Sequence, residues 1–401
     1  MNLEIIMLEK IIFIVYNFYK EVISVNIIDY IKWRGDLTMD IVPFNHLDAL
    51  LFSQLSMLRL DEVLIEEGEQ ISLSIKKAVK VFKELNIEEK YDLGLILPKE
   101  IITAFYMMGE SPRYKDLVLD NYVNNICSSE QTQFSALTID LGYNTRVVSF
   151  SGTDDTLIGW KENFNMLFVS TTAGQASSCD YLSKVSRRWR HIYVCGHSKG
   201  ANLALYSTLH VNNHVQRKIE KTIGFDGPGL IEDINEIDSF ERIIKKVTFY
   251  VPDTTIIGAL FDHYEEIKVV KSTEKGLYQH DVFSWEVLGT DFVYVDDRTE
   301  ESKHIEQKIK TMISEIDEAT RVRLVNEGYK ILSSDTADTL TKLYGEKFRI
   351  IKDYLASDPS IQKAYKKIFL EILRDKIMRD AIYDNIKGFI KKQKNNKKTK
   401  E

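Results

Sequence analysis

The apolar run Ile192 Tyr193 Val194 Cys195 leads directly into Gly196 His197 Ser198 Lys199 Gly200, and Ala201 to Leu209 follows as a good helix former. A strand, a five-residue turn and a helix can be joined this tightly in few ways. Glycine on either side of the serine lets the strand and helix backbones approach with no Cβ between them, and Ala201 keeps the first helical turn slim. Ser198 then sits in a strained turn that exposes its hydroxyl at the carboxyl end of a strand. The positive end of the helix dipole lies beside it and favours negative charge developing there. The pentapeptide alone could be an ordinary glycine-rich turn; the strand before it makes Ser198 a candidate nucleophile.

The surrounding pattern supplies a sheet. Phe134 to Ile139, a Gly142 Tyr143 Asn144 turn and Val147 to Phe150 read as a β-hairpin. Three further strand-like runs follow the turn at Ser198: Thr222 to Phe225, Val247 to Val251 and Ile267 to Val270. Helical stretches between them, beginning with Thr172 to Ser186 before the first strand, let these strands lie parallel in one layer. Residues 71–85 and 101–108 suit helices packed on one face, and Arg34 Gly35 Asp36 reads as a turn. Beyond about residue 300 the pattern is wholly helical. There Ile361, Tyr365, Ile368, Phe369, Ile372 and Leu373 fall on one helical face, which reads as a helical appendage or a partner-docking surface.

The expected organisation is an amphipathic helical extension over 1–25, an α/β domain over 26–299, a helical appendage over 300–390 and a Lys-rich, solvated tail over 391–401. Ile11 to Tyr19 is apolar but too short to span a bilayer, which needs about 20 residues. The acidic residue and cleavage-site pattern around it do not suit a signal peptide. An N-terminal helix docked on the body, with peripheral membrane contact as the other reading, is the expectation. The 44% hydrophobic and 28% charged content is that of a globular protein, and the net charge of -7 argues against a nucleic-acid partner. Cys127, Cys179 and Cys195 are odd in number and lack metal-ligand spacing. They favour a reducing compartment, so the cytoplasm is expected, with no cofactor or metal.

A serine hydroxyl needs a base, and the base needs an orienting carboxylate. In a strand–turn–helix site of this kind the chain order is serine, acid, histidine. Asp253 stands beyond the second strand after Ser198, and His280 lies in the loop beyond the next strand. Asp226, after the first strand, is the alternative acid, and His263 the alternative base. His197 is expected to point away as a packing residue. The oxyanion of acyl transfer would be met by the Lys199 N–H and by the Thr153 N–H and hydroxyl, at the end of the Val147 to Phe150 strand.

Phe150 Ser151 Gly152 Thr153, then Trp160, then Gly196 to Ala201 resemble class 3 lipases over about residues 133–290, with oxyanion segment, Trp-bearing lid segment and nucleophile turn in the same order. A closer likeness, over most of the chain from Asn26, is to a bacterial family of lipase-like proteins with no settled substrate. It is carried by Trp33 Arg34 Gly35 Asp36, Gly196 to Asn202, Phe225 Asp226 Gly227 Pro228 Gly229, Ile257 Gly258 and Gln279 His280 Asp281. The resemblance implies an α/β-hydrolase fold, mostly parallel in its sheet, and a Ser-His-Asp triad acting on a small-molecule or lipid acyl ester. The chain departs from class 3 lipases at Ser151, where arginine is usual, and at Lys199, where leucine is usual. Lys199 is expected to point into solvent rather than to read an anionic acyl group. Thioester or peptide cleavage by the same residues, and a non-catalytic hydrolase fold binding a partner through its C-terminal helices, are the other readings.

Overall fold

The computed structural model describes residues 25–383 other than 91–96, 128–131, 167–170, 232–233, 235–236, 238–239, 335–338, 344–345 and 381–382. The N-terminal extension, residue 25 apart, and the Lys-rich tail therefore lie outside the described residues. In chain order the main elements are helices α1 (Ile27–Arg34) and α2 (His46–Leu55), strand β1 (Leu73–Ser74), helices α3 (Ile75–Glu84) and α4 (Glu100–Glu110), and strands β2 (Val118–Cys127), β3 (Thr132–Gly142) and β4 (Thr145–Phe150). Then come α5 (Leu157–Asn165), α6 (Ala173–Val185), β5 (His191–His197), α7 (Lys199–His210), β6 (Ile219–Phe225), β7 (Val247–Pro252) and β8 (Glu266–Val270). Four long helices close the described chain: α8 (Glu300–Ser314), α9 (Glu318–Leu332), α10 (Lys347–Ala356) and α11 (Pro359–Arg374).

The eight strands form one sheet in the order β8-β7-β6-β5-β4-β3-β2-β1. From β4 to β8 every neighbouring pair is parallel, and β1 to β4 pair antiparallel. This is a mostly parallel sheet flanked by helices, with a helical C-terminal region, consistent with the α/β-hydrolase class. Sequential order has a physical consequence. Right-handed crossovers that all step the same way put their helices on one face, so α6 and α7 share a side. The opposite face needs a cover from elsewhere, and α2 supplies it, lying against β5 and buried from Leu47 to Leu55. Alternation along the strands serves both layers: Val147 and Cys195 join the core under α2, and Val148 and Val194 the core under α6 and α7.

The hairpin read from sequence is β3 and β4, with Asp140 opposite Arg146 and with Gly142, Tyr143 and Asn144 all at positive φ in the turn. Strand β2 is not visible in the hydrophobic pattern. Asp120, Asn121, Asn124 and Asn125 interrupt it, and a bulge between Asp120 and Val123 breaks its period. The apolar face expected around Ile361 is also divided. Ile361 is buried and Tyr365 donates its hydroxyl to the Leu324 carbonyl on α9, whereas Phe369 and Leu373 of α11 are 60% and 40% exposed. No helix among the described residues is long and apolar enough to cross a membrane.

Candidate active site

Strand β5 ends at His197 and α7 begins at Lys199, so one residue makes the whole turn. Ser198 adopts φ 57° and ψ -127°, a conformation that costs a non-glycine residue about 1–3 kcal/mol and persists only where its surroundings hold it. Its N–H donates to the Phe225 carbonyl at 2.9 Å, stitching the turn to β6. The flanking glycines are needed for closeness: a Cβ on Gly200 would lie 2.2 Å from the Phe150 carbonyl oxygen, and one on Gly196 2.2 Å from the Gly200 backbone. Ser198 remains part-exposed where its neighbours are buried.

His280 closes a short 3-10 turn, Gly276–His280, and its Nδ1 lies 2.6 Å from Asp226 Oδ2. Asp226 follows β6 at φ 42°, a region that aspartate tolerates better than most residues, and its N–H donates to the Tyr250 carbonyl. The carboxylate is 2% exposed. Its other oxygen accepts the Gly258 N–H at 3.1 Å and the Thr255 hydroxyl. A carboxylate so supplied with donors accepts from Nδ1–H, which leaves His280 Nε2 as the ring's acceptor. Nε2 meets no partner among the described residues, and the side chain is 24% exposed.

The expected acid is thus displaced. Asp253 does not meet His280; its Oδ1 accepts Gln279 Nε2 at 2.6 Å and the Thr254 hydroxyl at 3.2 Å, while Gln279 Oε1 accepts the Thr254 N–H. It fixes the residue before the imidazole, and the carboxylate at the imidazole comes from one strand earlier. His263, the alternative base, is taken by Glu265 at 2.6 Å. His197 packs, as its position in the turn suggests, but it also donates from Nε2 to the His280 carbonyl at 3.0 Å, with the two rings 4.6 Å apart. Burial holds the His197 pKa well below the ordinary imidazole value, so the ring is neutral, and its Nδ1 is buried with no partner among the described residues.

The segment after β4 abuts the turn: a Cβ on Gly152 would lie 2.9 Å from the His197 carbonyl oxygen. Thr153 is buried and its hydroxyl is committed to Asn163 Oδ1 on α5 at 2.9 Å, so the backbone N–H is what it can offer. Neither that N–H nor the Lys199 N–H meets an acceptor among the described residues. The Lys199 side chain reverses the expectation. It is 1% exposed, with Nζ 3.0 Å from Glu162 Oε2 and 2.5 Å from both oxygens of Gln133. Glu162 lies on α5, the Trp160-bearing segment, and also accepts the Gly174 and Gln133 N–H groups. Helix α5 is held from outside as well, by α9, where the Lys161 ammonium lies 4.7 Å from the Tyr329 ring centre.

Sequence reasoning missed Thr255, Gly258, Glu162 and Gln133. Gly258 carried a signal: a Cβ there would sit 2.5 Å from Asp226 Oδ1, so the Ile257 Gly258 pair marks a backbone that must come up to a carboxylate. Among the described residues, no three of His, Cys, Asp and Glu gather closely enough to hold a metal ion.

The sequence matches the model of a family described as Mbeg1-like over residues 108–330. Among solved structures, the crystal structure of M37 lipase is similar at 15% identity and a TM-score of 0.32, over 54% of this chain and 70% of that chain. No curated protein matches.

Proposed function

Because the chain belongs to the Mbeg1-like family, we propose that it is a serine hydrolase of carboxylic esters in which Ser198 is the nucleophile, His280 the base and Asp226 the acid. The observation that carries this is the 2.6 Å pairing of His280 Nδ1 with a buried carboxylate that follows β6, at the same carboxyl end of the parallel strands as the serine held in a strained turn after β5. Ser198 Oγ attacks the acyl carbon as His280 Nε2 takes its proton, and Asp226 stabilises the imidazolium without accepting that proton. The tetrahedral oxyanion is met by the backbone N–H groups of Lys199 and Thr153. Collapse expels the alcohol with the proton from His280. Water, activated by the same ring, then attacks the acyl-enzyme and returns Ser198 to its hydroxyl form.

The test is covalent labelling by a fluorophosphonate probe together with hydrolysis of p-nitrophenyl esters of graded chain length. The wild type should take one label and cleave at least one ester, and Ser198→Ala should do neither. A wild type that takes no label supports the reading of a non-catalytic fold. A labelled protein that cleaves thioesters or peptides and no oxygen ester keeps the triad and changes the substrate.

A further inference from the structure

The C-terminal helices pack one side and leave an apolar stripe on the other. On α10, Phe348, Ile351 and Leu355 are spaced i, i+3 and i+7 and are 91%, 56% and 65% exposed. The helix continues into a hairpin with α11, held where Gln362 Nε2 donates to the Leu355 and Ser357 carbonyls. There Phe369, Leu370 and Leu373 are exposed in turn, although α11 is already seated on α9 through Tyr365. Of the twenty large hydrophobic side chains exposed among the described residues, eight lie between Phe348 and Tyr383. A solvated helix pair would not concentrate them so.

Charge decides what fits this face. Lys352, Lys363, Lys366 and Lys376 stand among the apolar side chains, exposed and without an ion pair to any described residue. Neighbouring Lys367, by contrast, is paired to Glu315. Residues 347–401 hold 16 Lys and Arg against 7 Asp and Glu, in a chain whose net charge is -7. Two copies of the chain meeting through this face would oppose like charges. An anionic bilayer surface offers what the face lacks: an apolar layer for the aromatic and leucine side chains, and headgroup phosphates for unpaired ammonium groups. We propose that the α10–α11 hairpin docks the protein on anionic phospholipid membranes. The proposal stands apart from the Ser198 chemistry.

The experiment is co-sedimentation of the full-length protein with extruded vesicles of phosphatidylcholine alone and of phosphatidylcholine mixed with phosphatidylglycerol, using Ser198→Ala so that no lipid is consumed. Partition onto the anionic vesicles should be about tenfold the stronger at low salt and should fall as salt rises. Phe369→Glu with Leu373→Glu should lower it about tenfold with an unchanged thermal midpoint, since both side chains are exposed, and Lys363→Glu with Lys366→Glu should remove the preference for phosphatidylglycerol. Ser198→Ala protein left in the supernatant with both vesicles overturns the proposal, as does its equal partition onto both or equal partition of the Glu variants made in it. So does a dimer by light scattering that Phe348→Glu with Leu355→Glu turns into a monomer, because the face would then be occupied by a second copy.

Discussion

Asp226 Oδ2 faces His280 Nδ1 at 2.6 Å, while its other oxygen is taken by Gly258 and Thr255 and its backbone N–H by Tyr250. The Gly258 N–H and the Thr255 hydroxyl fix the carboxylate, and the imidazole takes its orientation from it. Asp226→Asn can turn an amide N–H toward Nδ1 and so favour the other tautomer, which lowers turnover by about 10⁴-fold where such a triad operates. Asp253→Asn keeps an oxygen for Gln279 and should stay within about tenfold of wild type. The rate of fluorophosphonate labelling compares them directly; a larger loss in Asp253→Asn would return the acid to the later strand.

Lys199 and Glu162 are both withdrawn from water, at 1% and 2% exposure, and each would be stranded without the other. Removing one partner of a buried pair costs about 3–5 kcal/mol, and replacing both by apolar groups costs less than the two single losses together. Urea unfolding of Lys199→Met, Glu162→Met and the double variant should show that inequality. Additive losses would mean that the two groups do not act as a pair.

His197 sets a pH dependence. Its folded pKa is depressed well below 6.5 by burial, so the unfolded state binds the proton more readily than the folded one. The stability it contributes is full above pH 6.5 and is lost as the pH falls below that value. His197→Gln keeps a donor for the His280 carbonyl and cannot titrate. Its melting temperature should fall less steeply than that of wild type between neutral and mildly acid pH, and parallel curves would sink the argument.

Gly200→Ala places a Cβ 2.2 Å from the Phe150 carbonyl oxygen, where backbone meets backbone and no side chain can give way. Overpacking of this kind costs about 1–3 kcal/mol, read as a lower melting temperature, and label incorporation should fall with it.

The turn at Ser198 was legible because its signal is local: an apolar strand, two glycines and a helix former within a few residues. The strands β6, β7 and β8 were legible for the same reason, as short apolar runs set between helices. The acid was harder, since both Asp226 and Asp253 follow strands of one parallel sheet and differ only in which loop folds back to His280. Gly258 decides that, from 32 residues beyond Asp226. Lys199 was misread because nothing near it in sequence shows a partner. Glu162 and Gln133 lie 37 and 66 residues before it and reach it only when α5 and β3 are in place. For α11, periodicity reported an apolar face but could not say which part of it is covered and which faces outward.

The expected boundary between the α/β domain and the helical appendage falls after Thr299, yet α8 is tied back across it through Ser302. The Thr299 N–H donates to the Asp253 carbonyl and the Ser302 hydroxyl to the Thr255 carbonyl, so the start of α8 braces the backbone on which the Asp226 acceptor contacts depend. A stop codon or a protease cut just past Thr299 would spare Ser198, His280 and Asp226 and still remove the Ser302 support behind one of them.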